Sequence, residues 1–235
     1  MTVTLVGSLV LGFCVLTASE GQGSAKDAAA PRSVAASQSR TPTATPAARV
    51  SGLRLPIEGA CLPESDQLMP NAPRPYRNGV HEGVDFYDGY VCVTIGERTA
   101  VIAARDGVVT LATLGYRDLT LARWEKITSR SQAAGGTSEE DLFVLRGRQV
   151  EIEHGDSVRT RYAHLSAIAE GIRVRGHVRA GKVIGYVGNS GTYQSITCRI
   201  CDLHLHFEIW IGDTFLGRGL PAEEVRELYE QAFSR

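Results

Sequence analysis

Two histidines separated by one residue, His204 and His206, form the densest group of side chains in the sequence that could do chemistry. They lie in a strand-like apolar run from Leu203 to Trp210. Residues i and i+2 of a strand point to the same face, so both imidazoles are expected on one surface, with Leu205 and Phe207 on the other. Such a pair can bind a metal ion or act as acid and base. The alternative is a pair of surface or hydrogen-bonded core histidines.

A second group joins His81 to Asp85. A spacing of four also keeps both side chains on one face of a strand, and Gly83 on that face leaves room between them. Turn signals flank the run at 78–79 and 88–89. Neutral imidazole and carboxylate are both good Zn²⁺ ligands. The alternative is an exposed polar strand with an incidental histidine.

A third candidate, His164, ends the strand-like run that begins at Val158 and lies beside a loop, where a catalytic group can reach a substrate. The alternative is a solvated histidine at a turn. Glu82 and Glu208 neighbour the candidate residues but are expected to point to the opposite strand face. Neither is therefore chosen as a catalytic acid.

The elements that position these residues are predicted to be short strands. A Gln149–His154 segment alternates apolar and polar residues, as a half-buried strand does. Turn signals at Asp106-Gly107 and 154–156 separate neighbouring strands. Strands at hairpin spacing favour a mainly β fold built on an antiparallel sheet. The predicted strands lie within 99–111, 149–154, 158–164, 182–187 and 203–210.

Two helical segments interrupt or follow this pattern. Residues 112–147 lose the strand period, and Thr137 to Glu140 resembles a capping box, so a helical insertion is predicted there. The segment from Pro221 to Phe233 has proline in its first turn and apolar residues on one face. It is predicted to be an amphipathic C-terminal helix, within residues 221–235, packed on a folded domain of 53–220.

The N-terminal part of the 235-residue chain has a different composition. Residues 1–18 are mostly apolar and predict a signal peptide or membrane anchor, with a buried strand or helix as the alternative. Residues 19–52 are rich in Ala, Ser, Thr and Pro and predict a flexible linker. This layout favours an exported protein of the cell envelope, with the N-terminal segment as the candidate membrane tether. The net charge of -1 gives no reason to expect a nucleic-acid partner.

Four cysteines lie beyond the leader: Cys61, Cys92, Cys198 and Cys201. Four cysteines allow three disulfide pairings, and in an exported chain we favour Cys61–Cys92 with Cys198–Cys201. A structural zinc site and free buried thiols are the alternatives.

Taken together, these segments resemble peptidase family M23, the lysostaphin- and LytM-like zinc endopeptidases. The matching segments are HEGVDF, EIEHGDSVRTRYAHLS, GKVIGYVGNSGT and HLHFEIW, in that order, within about residues 55–210. The resemblance implies an antiparallel sheet with a substrate groove above it. The insertion at 112–147 and the cysteine-containing loop before His204 depart from the family pattern and are expected to reshape that groove.

The family also implies roles for the site residues. His81, Asp85 and His206 would hold one Zn²⁺ per chain, with water in the fourth position, and His164 and His204 would be the catalytic pair. The implied substrate is a peptide stem or bridge of bacterial peptidoglycan, cut by a protein expected to be a monomer. Groove-lining residues are guessed to include Tyr162, Asn189 and Tyr193.

Two other functions remain open at this point. One is a non-catalytic module of the same fold that binds peptidoglycan or activates a separate hydrolase. The other is an interaction protein whose structural zinc is held by Cys198, Cys201, His204 and His206. That alternative leaves His81, Asp85 and His164 unexplained.

Overall fold

The structure, a computed structural model, describes residues 46–234 and is mainly β, as predicted. All strand pairs are antiparallel. The strands are β1 (Pro73–Arg74), β2 (Gly79–Val80), β3 (Val84–Tyr87), β4 (Ala100–Ile102), β5 (Gly107–Ala112), β6 (Val150–Glu153), β7 (Val158–Ala163), β8 (Ala167–Ile168), β9 (His177–Val178), β10 (Val183–Tyr186), β11 (His204–Ile211) and β12 (Thr214–Phe215). The α-helices are α1 (Pro46–Val50), α2 (Leu121–Ala134), α3 (Glu139–Leu145), α4 (Gln194–Thr197) and α5 (Ala222–Phe233), with 3₁₀ turns at Asp66–Leu68 and Pro75–Arg77.

The main sheet has seven strands in the order β12-β11-β7-β6-β5-β9, and β3 pairs with β11. Strand β11 therefore has β7 along one side and both β3 and β12 along the other. A second sheet contains β4, β10 and β8, and β1 pairs with β2. The long strand β11 is thus held on both sides, which fixes the face that each of its side chains occupies.

The period-2 pattern of β11 separates the core from a polar face. Leu205, Phe207 and Ile209 are fully buried, and Phe207 packs against Phe233 of α5 with ring centroids 6.0 Å apart. Helix α5 buries Val225, among others, as its amphipathic pattern predicts. Burying each large apolar side chain contributes roughly 1.5–3 kcal/mol, so this core anchors β11.

The two predicted helical regions are present. The insertion forms α2 and α3 between β5 and β6, and Ser138 is the N-cap of α3, its hydroxyl accepting from the Asp141 amide. This capping removes one unpaired donor at the helix start. The predicted C-terminal helix corresponds to α5, which begins after Pro221.

Three local details differ from the sequence interpretation. The Asp106-Gly107 turn does not close a hairpin, because β4 and β5 belong to different sheets. His81 precedes β3 rather than lying within it. Helix α1 occupies residues assigned to the linker, and its Val50 is fully buried, so the folded part begins before residue 53. Val50 is the one large apolar residue of α1, so the sequence there has no apolar periodicity that would predict a helix.

The predicted leader and most of the linker lie outside the described residues. Within residues 46–234, every helix is too short or too polar to cross a membrane.

A series of hydrogen bonds connects His154 with Thr160 and Tyr162 of β7. Its Nδ1 lies 2.9 Å from the Asp106 carbonyl oxygen and must donate to it, so Nε2 accepts from Thr160 Oγ1 at 2.7 Å. The Thr160 and Tyr162 hydroxyls are 2.9 Å apart, and Tyr162 accepts from the Ala104 amide. These contacts satisfy a neutral imidazole. Burial lowers the pKa of His154 to about 4.

We predict that His154 makes the fold sensitive to mild acid. Its folded pKa lies below the unfolded value of roughly 6.5, so its contribution is complete above pH 6.5 and is lost as pH falls towards 4. Because the ring is partly exposed, the loss should be on the order of 1–2 kcal/mol. Urea unfolding at pH 7 and pH 4.5 should show a smaller pH effect for His154→Gln than for the parent. Equal pH effects in both proteins would show that another group is responsible.

Candidate metal centre and catalytic histidines

The strand register brings the candidate residues to one end of the main sheet. His206 is opposite Asp85 of β3 on one side and Ala163 of β7 on the other. His164 directly follows β7, so its ring reaches the same end. His81 arrives from the turn before β3, where its backbone amide donates to the Ala72 carbonyl at 2.8 Å.

Three side chains converge on one point. His81 Nε2 lies 2.9 Å from His206 Nδ1 and 3.0 Å from Asp85 Oδ1. The distance from His206 Nδ1 to Asp85 Oδ1 is 2.9 Å. Donor atoms spaced in this way can all contact one ion with bonds of roughly 2.0–2.1 Å. Two imidazoles and a carboxylate, all buried, are a donor set that fits zinc.

Hydrogen bonds on the far side of each ring leave the converging atoms free to bind a cation. His81 Nδ1 lies 3.0 Å from the Met69 carbonyl oxygen and must donate to it. His206 Nε2 lies 3.0 Å from Glu208 Oε1, a carboxylate that accepts its proton. The lone pairs of His81 Nε2 and His206 Nδ1 therefore face each other and Asp85, the arrangement typical of metal-binding histidines.

His164 and His204 stand beside this triad, with ring centroids 4.7 Å apart. Their Nδ1 atoms lie 2.8 Å from the Ser190 carbonyl oxygen and 2.9 Å from the Asp202 carbonyl oxygen, respectively. Each Nδ1 must donate, so each Nε2 carries a lone pair. His204 also stacks on Tyr87, whose hydroxyl lies 3.4 Å from its Nε2.

Burial sets the charge of most of these groups. It lowers the pKa of His81 to about 4 and the pKa values of His164 and His204 below the ordinary range. Burial also acts on His206, but hydrogen bonds to Asp85 and Glu208 outweigh it and raise the His206 pKa to about 9. At neutral pH His81, His164 and His204 are therefore uncharged, whereas His206 favours positive charge between Asp85 and Glu208. A cation bound at His206 Nδ1 would take the place of a proton there.

Asp85 remains ionised in this setting. Burial alone would raise its pKa, but His81 and His206 hold the pKa well below the ordinary value. Its second oxygen, Oδ2, accepts from Arg74 at 3.1 Å, which leaves Oδ1 directed at the two histidines.

Glu208 does not point away from the site, as the sequence interpretation held. It is two residues from His206 and so shares its strand face. Glu82 also comes close, and the ligand atoms of Glu82, His206 and Glu208 lie within 4.8 Å of one another. Three arginines, Arg77, Arg146 and Arg161, already donate to these carboxylates. A second cation there would face like charges, so the His81 group is the better metal site.

A groove with a volume of about 800 Å³ opens above the centre. Its walls include Trp124 from the helical insertion, between Tyr76 and Tyr193 at ring-centroid distances of 6.4 and 4.8 Å. Tyr193 lines the groove as guessed, but Tyr162 is in the core. Asn189 is buried and donates to the carbonyls of Cys198 and Cys201. The insertion thus forms part of the groove wall.

The cysteines form the two favoured disulfides, Cys61–Cys92 and Cys198–Cys201. Disulfide sulfurs are not available as thiolate ligands. The alternative zinc site built from Cys198, Cys201 and the histidine pair is therefore wrong.

Comparison with known proteins identifies relatives. A sequence model described as peptidase family M23 matches residues 79–217. The DD-carboxypeptidase/endopeptidase Mpg of Neisseria meningitidis serogroup B is 36% identical over 106 residues, which cover 41% of this chain. The aligned part is 22% of the relative, so the chain spans about a fifth of its length.

Two solved structures are also similar. A zinc-containing peptidase from Vibrio cholerae shares 21% identity with a TM-score of 0.42, covering 73% of this chain and 41% of that one. The catalytic domain of lysostaphin from Staphylococcus simulans shares 22% identity with a TM-score of 0.37, covering 63% of this chain and 80% of that one.

We predict that Gly83→Ala disrupts the candidate metal centre by displacing β11, although Gly83 is not itself a ligand. A Cβ on Gly83 would lie 2.2 Å from the Phe207 carbonyl oxygen, so β11 would have to move beside His206. The melting temperature and metal affinity should both fall, the affinity by about tenfold or more given the cost of displaced ligands. Gly96→Ala is the control, because a Cβ there meets no neighbouring atom and Gly96, like Gly83, does not have a positive φ. An unchanged metal affinity in Gly83→Ala would contradict the tight packing described here.

Proposed function

The chain belongs to peptidase family M23, and we propose that it is a zinc-dependent endopeptidase that hydrolyses peptide stems or cross-bridges of bacterial peptidoglycan. One observation carries this proposal. His81 Nε2, His206 Nδ1 and Asp85 Oδ1 converge to within 3.0 Å of each other, at the floor of a groove that also contains two further histidines.

We assign the zinc ligands to His81, Asp85 and His206, one ion per chain. When bound, zinc would supply a Lewis acid that polarises the scissile carbonyl and makes water more acidic. The protein's own contribution is orientation. Met69 and Glu208 fix the two imidazoles, and Arg74 fixes the carboxylate.

His164 and His204 are assigned to proton transfer. Their lowered pKa values keep both rings unprotonated at neutral pH, so an Nε2 lone pair is available to accept a proton from the attacking water. The proton that an imidazole accepts can then pass to the leaving amine nitrogen. Ser190 and Asp202 hold the rings through Nδ1, which keeps each Nε2 as the reacting atom.

The substrate assignment is supported by the relatives and by the groove. The Neisseria relative is named a DD-carboxypeptidase/endopeptidase. The groove here is lined by aromatic and polar side chains and is large enough for a peptide. The two disulfides and the apolar leader support an exported protein of the cell envelope, with the leader as its candidate membrane tether. We propose that it acts as a monomer.

The zinc assignment predicts that His81→Ala, Asp85→Ala and His206→Ala each lower zinc affinity sharply. Three protein ligands are the usual set for a catalytic zinc site. Each substitution removes one of the three protein–zinc bonds, and Asp85→Ala also removes a negative charge. Competition with a fluorescent chelator measures the affinity, and His177→Ala is the control because His177 lies on an exposed edge strand. Zinc binding by Asp85→Ala at the parental affinity would remove that residue from the set.

The catalytic assignment predicts that His164→Ala and His204→Ala retain zinc but hydrolyse slowly. General acid–base assistance is worth roughly 10²–10⁴ in rate, so turnover should fall by that range. The assay is digestion of purified peptidoglycan by the zinc-loaded protein, with the new termini identified by mass spectrometry. If the parent binds the polymer and releases no new termini, the chain is a non-catalytic binding or activating module instead.

A further inference from the structure

Glu208 is a fully buried carboxylate with four hydrogen-bond donors. Its Oε1 accepts from Arg146 Nε at 2.6 Å and from His206 Nε2 at 3.0 Å. Its Oε2 accepts from Arg161 at 2.9 Å and from Trp210 Nε1 at 2.5 Å. Three of these donors fix the position of the carboxylate, and the fourth belongs to a proposed zinc ligand.

Arg146 comes from the helical insertion rather than from the sheet. It follows the last residue of α3 as its C-cap and is 5% exposed. Its guanidinium reaches Glu208, and its backbone carbonyl accepts from the His164 amide at 2.9 Å. The end of the insertion therefore contacts the supports of both a zinc ligand and a proposed catalytic histidine.

We propose that Arg146 and Glu208 are positioning residues for zinc binding, an inference that rests on the proposed function. Arg146 holds Glu208 Oε1 where it accepts the Nε2 proton of His206, and this selects the tautomer whose Nδ1 lone pair faces His81 and Asp85. Without that acceptor the proton can occupy Nδ1, and the ring can turn. Partners of this kind, one contact beyond the ligand, typically change metal affinity by roughly 10–100-fold.

The hydrogen bond from the His164 amide to the Arg146 carbonyl lets Arg146 position His164 as well. This residue has a φ of 60°, a left-handed conformation that non-glycine residues rarely adopt. Its amide is held by the Arg146 carbonyl and its Nδ1 by the Ser190 carbonyl. A displaced α3 end would therefore move His164 and Glu208 together.

Measuring zinc affinity directly, by chelator competition, tests the inference without relying on activity. Glu208→Gln should weaken zinc binding by about 10–100-fold, and Arg146→Met by about tenfold. Arg146→Lys keeps the charge near Glu208 and should recover part of the lost affinity.

Glu151→Gln is the matched control. Glu151 is also a buried carboxylate and accepts from the same Arg161, at 2.6 Å, but it does not contact a histidine. Its substitution should lower the melting temperature, as removing one partner of a buried ion pair does, and should change zinc affinity by no more than about twofold. A merely structural role for Arg146 would make Arg146→Met behave like Glu151→Gln.

A second readout follows the histidine itself. All proteins are compared without zinc, at a pH above the His206 pKa of about 9, where the ring is neutral. Long-range ¹H–¹⁵N correlations of the His206 ring should show the proton on Nε2 in the parent and mixed tautomers in Arg146→Met and Glu208→Gln. The inference is overturned if Arg146→Met folds and binds zinc within about twofold of Glu151→Gln. If the parent itself binds no zinc, the proposed function fails first.

Discussion

The site depends on one pairing, the antiparallel register of β11 between β3 and β7. That register puts His206 opposite Asp85 and beside the end of the strand that leads to His164. A shift by one residue would turn His204, His206 and Glu208 towards the core and Leu205 and Phe207 towards the groove. The apolar contacts of Phe207 with α5 oppose that shift. The core on one face of β11 therefore fixes the chemistry on the other.

Burying so many charged groups beside the site is costly unless each of them is paired. Asp85 and Glu208 are almost wholly excluded from water, and each has a guanidinium and a histidine as partners. Replacing such a network with apolar residues is often stabilising in other proteins, so stability alone does not explain its presence. The orientation of the metal ligands explains it better. An imidazole whose far nitrogen is already hydrogen-bonded loses little rotational freedom when its other nitrogen binds an ion.

Much of this could be predicted from the sequence because strand periodicity is local. The i, i+2 spacing placed His204 and His206 on one face, and turn residues separated β6 from β7. The same rule, applied consistently, would have placed Glu208 beside His206. The contact between Arg146 and Glu208 spans 62 positions and could not be inferred, because its geometry depends on where α3 ends. Likewise, nothing in the Asp106-Gly107 turn signals that the chain changes sheets there.

The helical insertion connects these observations. Trp124 of α2 lies between Tyr76 and Tyr193 in the wall of the groove, while Arg146 at the end of α3 donates to Glu208. Thr137, between the helices, donates to the Arg77 carbonyl at 2.7 Å, next to the segment that leads to His81. The insertion thus supplies part of the groove wall, contacts the segment that leads to the proposed ligand His81, and holds Glu208, the partner of the proposed ligand His206. A change in its length or packing would alter substrate access and ligand geometry together, since both depend on the same two short helices.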